Sequence, residues 1–248
     1  MSPLTGVLRE AWAMYRRFAA HFLLIAFVFY LVSAIIGAVL SLAGAGGSLA
    51  AALVNFLFLC LLEAALVKAV QDVRDGRADL SIGETVSAAT PYIWSVAAAS
   101  ILAGIAITIG LILIIVPGLW LITIWAVIIP VVVIERSGAL ASFGRSRQLV
   151  RGHGWHVFGT LVLVFIILIA VDLILGLIFA ALPIVLRSGL GTVISGTLVA
   201  PFLAVVVTLI YYRLVGTNGG GPAAQGGYAE GPGYGEGPGY GQGPGPVV

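Results

Sequence analysis

The chain has 248 residues, of which 60% are hydrophobic and 9% charged, with a formal net charge of +2. A mean hydropathy of +1.14 excludes an ordinary soluble globular domain, and so small a net charge gives no reason to expect nucleic acid as a partner. The single cysteine, Cys60, excludes an internal disulfide and reads as a small apolar packing residue.

A helix that crosses a ~30 Å hydrocarbon core needs ~20 mostly apolar residues. Three blocks are each long enough for two such helices. Phe18 to Leu62 and Thr85 to Ile134 carry no Asp, Glu, Lys or Arg, and Val157 to Tyr212 is broken only by Asp172 and Arg187. The expected fold is therefore all-α: a six-span helical membrane bundle built as three hairpins, each preceded by a short interfacial helix.

In chain order, Leu4 to Phe18 places Leu4, Val7, Leu8, Ala11, Trp12, Tyr15 and Phe18 on one helical face and Arg9, Glu10, Arg16 and Arg17 on the other. Such a helix is expected to lie in the headgroup layer, with Trp12 and Tyr15 at its boundary. Span 1 follows from about Phe22 to Leu42, too long for the ~7–15-residue apolar core of a secretory signal. The stretch Ala43 to Ser48 reads as a turn, and span 2 runs from about Leu49 to Val70. Ser81-Ile82-Gly83-Glu84 has capping-box spacing and predicts a short helix starting there. Span 3 runs from about Pro91 to Val116, Pro117-Gly118 reads as its outer turn, and span 4 runs from Leu119 to Ile134 with a kink at Pro130. A polar connection, Glu135 to His156, leads to span 5 (about Val157 to Leu182) and span 6 (about Val193 to Leu214). The thrice-repeated plan of short helix and hairpin is a weak internal repeat.

Eleven of the twelve basic residues fall in segments on one side of this topology; Arg187 is the exception. The positive-inside rule makes that side cytoplasmic and puts both termini there. Residues 1–215 form the membrane domain. Residues 216–248 differ in kind: glycine and proline supply 19 of the 33, and Tyr228, Tyr234 and Tyr240 recur at intervals of six. Too little apolar surface is available there to offset backbone entropy, so a disordered cytoplasmic tail is expected.

The stretch from Ile115 to Trp155 carries a pattern: Pro117-Gly118, an apolar span with a late Pro130, Glu135 at its end, Arg145-Ser146, Leu149-Val150-Arg151-Gly152 and Trp155. This pattern, with Gly76 and Ser81-Ile82-Gly83-Glu84 upstream, resembles the membrane domain attached to bacterial glycerophosphoryl diester phosphodiesterases and the related YciC-like inner-membrane proteins. The resemblance covers most of residues 4–215 and implies a membrane module of the bacterial inner membrane. Hydrolysis in those enzymes belongs to a separate soluble domain with paired histidines, carboxylates and a metal, which this chain lacks, so no enzyme activity, cofactor or metal is expected.

Arg145, Arg147 and Arg151 form the densest basic cluster and are candidates for binding anionic lipid headgroups or a partner protein. Glu135 is a candidate for that binding with them, and is also placed to pair with one of the arginines and hold the connection against span 4. His153 and His156 lack the further ligands a metal needs and read as interfacial polar residues. Glu63 and Asp172 are the acidic residues within spans, where a carboxylate costs ~2.5–3.5 kcal/mol on insertion scales. Asp172 is expected to face the bundle interior, and an ion- or proton-coupled transporter using these two carboxyls is the alternative function. The ridge Ser100, Gly104 and Thr108 reads as a helix-contact face, within the bundle or in a homo-oligomer.

Overall fold

The computed structural model describes residues 6–217, excepting the side chains of 184–188. The tail's tyrosine repeats, Leu4 and the side chain of Arg187 lie outside the described residues. The described residues are mostly helical: α1 (Val7–Arg17), α2 (Ala19–Ser41), α3 (Gly44–Asp72), α4 (Ile82–Ala89), α5 (Ile93–Leu113), α6 (Ile115–Ile124), α7 (Ile128–Ile134), α8 (Ala139–Val150), α9 (Gly154–Ile178) and α10 (Ile184–Thr217). Among the described residues, six helical stretches are long and apolar enough to cross a membrane, with α6 and α7 together making the fourth. The protein is an all-α, multi-span membrane protein in which three short helices, α1, α4 and α8, each precede a hairpin.

Two of the expected turns are helix. The chain reverses at Leu42 and Ala43, and the glycine-rich stretch behind them is the first turn of α3. A Cβ on Gly47 would lie 1.9 Å from the carbonyl oxygen of Leu40, so this glycine serves the close approach of α2 and α3. Likewise the reversal between α5 and α6 is made by Ile114 alone, in extended conformation. Pro117 sits within the first turn of α6, where a missing N–H costs nothing because first-turn donors have no intrahelical partner. A Cβ on Gly118 would fall 2.4 Å from Leu111 Cδ2, and one on Gly110 would fall 3.1 Å from Gly118 Cα. The pair lets the two helices of the hairpin touch backbone to backbone.

Pro130 acts as expected. It cannot donate to the carbonyl of Ala126, and the helix breaks over 125–127 before resuming as α7. The capping box also forms. Ser81 Oγ accepts from the Glu84 backbone N–H at 3.3 Å, and Glu84 Oε2 accepts from the Ser81 backbone N–H at 2.8 Å.

Packing is uneven along the bundle. Nearly all the buried large side chains lie toward the end holding the basic residues, on α1, the starts of α2 and α5, the ends of α3 and α10, and α7 and α8. Toward the opposite end burial is sparse, although the first two hairpins close tightly at their tips. Ile35, Val39, Leu49, Ile112 and Val116 are exposed there, and on α9 only Val157 and Val164 are buried. Exposed apolar side chains at that depth meet lipid, which is as apolar as they are.

Candidate functional site

The basic segments, far apart in sequence, are tied together at one end of the bundle. Arg17 donates to the carbonyl of Gly76 at 3.1 Å. Arg74 stacks over the Tyr212 ring at 3.5 Å from its centroid, and Lys68 lies over Tyr92 at 5.1 Å. Glu10 pairs with Arg213. The α1 helix does more than float in a headgroup layer: Val7, Ala11 and Tyr15, spaced at four, are buried, and α1 packs along α10. Tyr15 Oη donates to the carbonyl of Leu198 at 3.0 Å, just before Pro201 within α10. Burial pushes the Tyr15 phenol's pKa up, so it stays a donor.

The polar connection after α7 forms the centre of this end. Arg136 takes a left-handed conformation (φ 53°) and turns the chain so that α8 packs back against α7, also touching α5, α6 and α10. This packing buries Ser142, Ser146, Leu149 and Val150. Arg145 Nε donates to Glu135 Oε1 at 3.0 Å and Oε2 at 2.9 Å. Tyr211 Oη, from α10, donates to the same carboxylate at 3.0 Å. The ion pair is sheltered, with side-chain exposures of 17% for Arg145 and 10% for Glu135. Ser146 Oγ, next along, donates to the carbonyl of Ile124 at 2.9 Å, at the end of α6 where the helix breaks. The Trp125 ring, in the break, meets Phe143 edge-on with centroids 4.8 Å apart.

Of the candidate arginines, Arg145 is therefore internal, and it is the one Glu135 takes. Arg147 and Arg151 are exposed. Arg147 lies over the Trp120 ring at 5.8 Å, and Arg151 has no side-chain partner among the described residues. Beyond Gly152, in left-handed conformation at φ 85°, stands Trp155 with 85% of its surface exposed. Exposed tryptophan beside exposed arginine is the composition of a membrane interface.

Asp172 does not enter the core. It is exposed at the seam of α9 and α10, where Ser195 Oγ donates to its carboxylate. Glu63 on α3 is also exposed, and no hydrogen bond or ion pair joins the two carboxyls among the described residues. The ridge on span 3 is not packed throughout: Gly104 and Thr108 are exposed, and a Cβ on Gly104 would meet no atom within 4 Å. His153 and His156 gather no further ligands, and no group of three metal-binding side chains occurs among the described residues. Reading along the chain misses Tyr211, Trp120 and Tyr15 as partners. Each acts on residues at least 27 positions away, a distance no local pattern reports. No family model, curated protein or solved structure matches the chain.

Proposed function

We propose that this protein is a non-enzymatic membrane module of the bacterial inner membrane, both termini cytoplasmic, that engages anionic lipid headgroups at the inner leaflet through Arg147 and Arg151. The observation that carries this reading is the split within the cluster. Arg145 is spent on Glu135 and Tyr211, while Arg147 and Arg151 stay exposed on the same connection, beside exposed Trp155. A basic end that also holds exposed Trp12 and Trp94 supports it. So does the likeness of the Pro130, Glu135, Arg145-Ser146 and Leu149-to-Gly152 pattern to the membrane domain of glycerophosphoryl diester phosphodiesterases. Each cation near an anionic surface contributes ~1 kcal/mol. Arg147→Ala/Arg151→Ala, in the full chain held in nanodiscs, is expected to weaken phosphatidylglycerol binding about 10- to 30-fold. The wild-type affinity should also fall as salt rises. Equal affinity of the two proteins contradicts the reading.

A second reading, a small ion- or proton-coupled transporter, rests on the Asp172–Ser195 contact between two apolar helices. Under that reading Asp172→Asn abolishes flux in reconstituted vesicles and leaves the melting temperature unchanged; undiminished flux removes it.

A further inference from the structure

Away from the basic end, α2, α3 and α10 line a half-open cavity of about 410 Å³, within the ~300–1,000 Å³ range of small-molecule sites. Tyr30, Ser33 and Gly37 of α2, Ala51 and Asn55 of α3 and Thr192 of α10 form its walls, and no charged side chain lines it. Ser33 Oγ donates to Asn55 Oδ1 at 2.6 Å. That bond fixes the amide and leaves both hydrogens of Asn55 Nδ2 without a partner among the described residues. The Tyr30 hydroxyl makes no hydrogen bond there either. Its ring is held against α10 at Gly196, where a Cβ would fall 2.4 Å from Tyr30 Cζ. Past Ser33 the cavity narrows to a crevice among Phe29, Phe58 and Leu62 with no room for a water. The feature is thus a dead-ended pocket at membrane depth, and it does not lead on as a pore.

Unpaired N–H and O–H donors are costly in hydrocarbon. A lining without charge offers an ion no counter-charge. We propose that this cavity binds an uncharged, bilayer-dissolved molecule whose carbonyl oxygen accepts hydrogen bonds from Asn55 Nδ2 and Tyr30 Oη. Its apolar remainder leaves through the open side into lipid, since the inner crevice is closed. Two sources supply that chemistry: the ring carbonyl of a quinone and the ester carbonyl of a neutral glyceride.

The test uses the full chain in nanodiscs, titrated with a short-chain benzoquinone in one arm and a short-chain diacylglycerol in the other, with bound probe counted by native mass spectrometry. One probe is expected to bind saturably at one per chain, and the probe that does so names the source. Asn55→Leu keeps the branched shape at somewhat larger volume, removes the donors and should weaken binding about tenfold. A Cβ on Gly37, which lines the cavity, meets no atom within 4 Å, so Gly37→Leu starts free of a backbone clash, takes up cavity volume and should abolish binding. Tyr30→Phe serves as the donor deletion if Asn55→Leu does not fold. Absence of saturable binding by either probe overturns the assignment, as does binding that neither the donor deletion nor Gly37→Leu alters.

Discussion

Arg145 and Arg147 stand two positions apart on α8 and face different surroundings. The first donates into a carboxylate that Tyr211 also holds, under little solvent; the second lies exposed over an indole. Removing one member of a sheltered ion pair strands the other charge, which costs ~3–5 kcal/mol. Arg145→Ala is therefore expected to lower stability by about 3 kcal/mol, read as a large drop in melting temperature in detergent. Tyr211→Phe gives up one charge-assisted hydrogen bond and should cost about 1.5–3 kcal/mol. A double-mutant cycle should show that the two losses are not additive, because both act through Glu135. An Arg145→Ala protein that melts like wild type contradicts this picture of the connection. The sequence made Glu135 and the arginines visible as charges, and even suggested their pairing. It did not say which arginine, because helical spacing alone does not decide whether a side chain points at α7 or away. Tyr211 was out of reach altogether, 76 positions from Glu135.

Among the elements, the six apolar stretches were legible because lipid imposes a length and a composition that few other structures share. The breaks were harder to read. Pro117-Gly118 and the glycines after Ala43 have the composition of turns in water, yet both lie in helix, where the glycines allow close backbone approach. This gives a contrast between two small residues of the same hairpin. Gly118→Val should disrupt the α5–α6 hairpin, since a Cβ there already falls 2.4 Å from Leu111. Gly104→Val, on the open face of α5, should be tolerated to within about 1 kcal/mol. Thermal unfolding in the same detergent compares them, and equal effects would mean that the hairpin is not held by this close approach. The short helices divide in the same way. The α4 start was readable from its capping box, which is local. That α1 packs along α10 and α8 folds back on α7 was not, because an amphipathic pattern marks an apolar face without naming what covers it.

Across the whole molecule, a well-buried basic end and a sparsely buried opposite end divide the work. The basic end joins the first two basic segments to each other and to the end of α10 through Arg17–Gly76, Arg74–Tyr212 and Glu10–Arg213, and ties the third to α10 through Tyr211–Glu135, so its exposed arginines and tryptophans sit on a stiff base. The opposite end exposes apolar side chains to lipid and holds the cavity between α2, α3 and α10. Recognition of anionic headgroups is accordingly expected to be separable from the integrity of the bundle. The most direct measurement is quantitative mass spectrometry of the lipids that co-purify from native membranes with the wild-type chain and with Arg147→Ala/Arg151→Ala. Anionic lipid is expected to be enriched on the wild type and reduced on the double variant, with both melting at the same temperature. The same lipid profile on both proteins would contradict it, leaving the two arginines as determinants of membrane orientation alone.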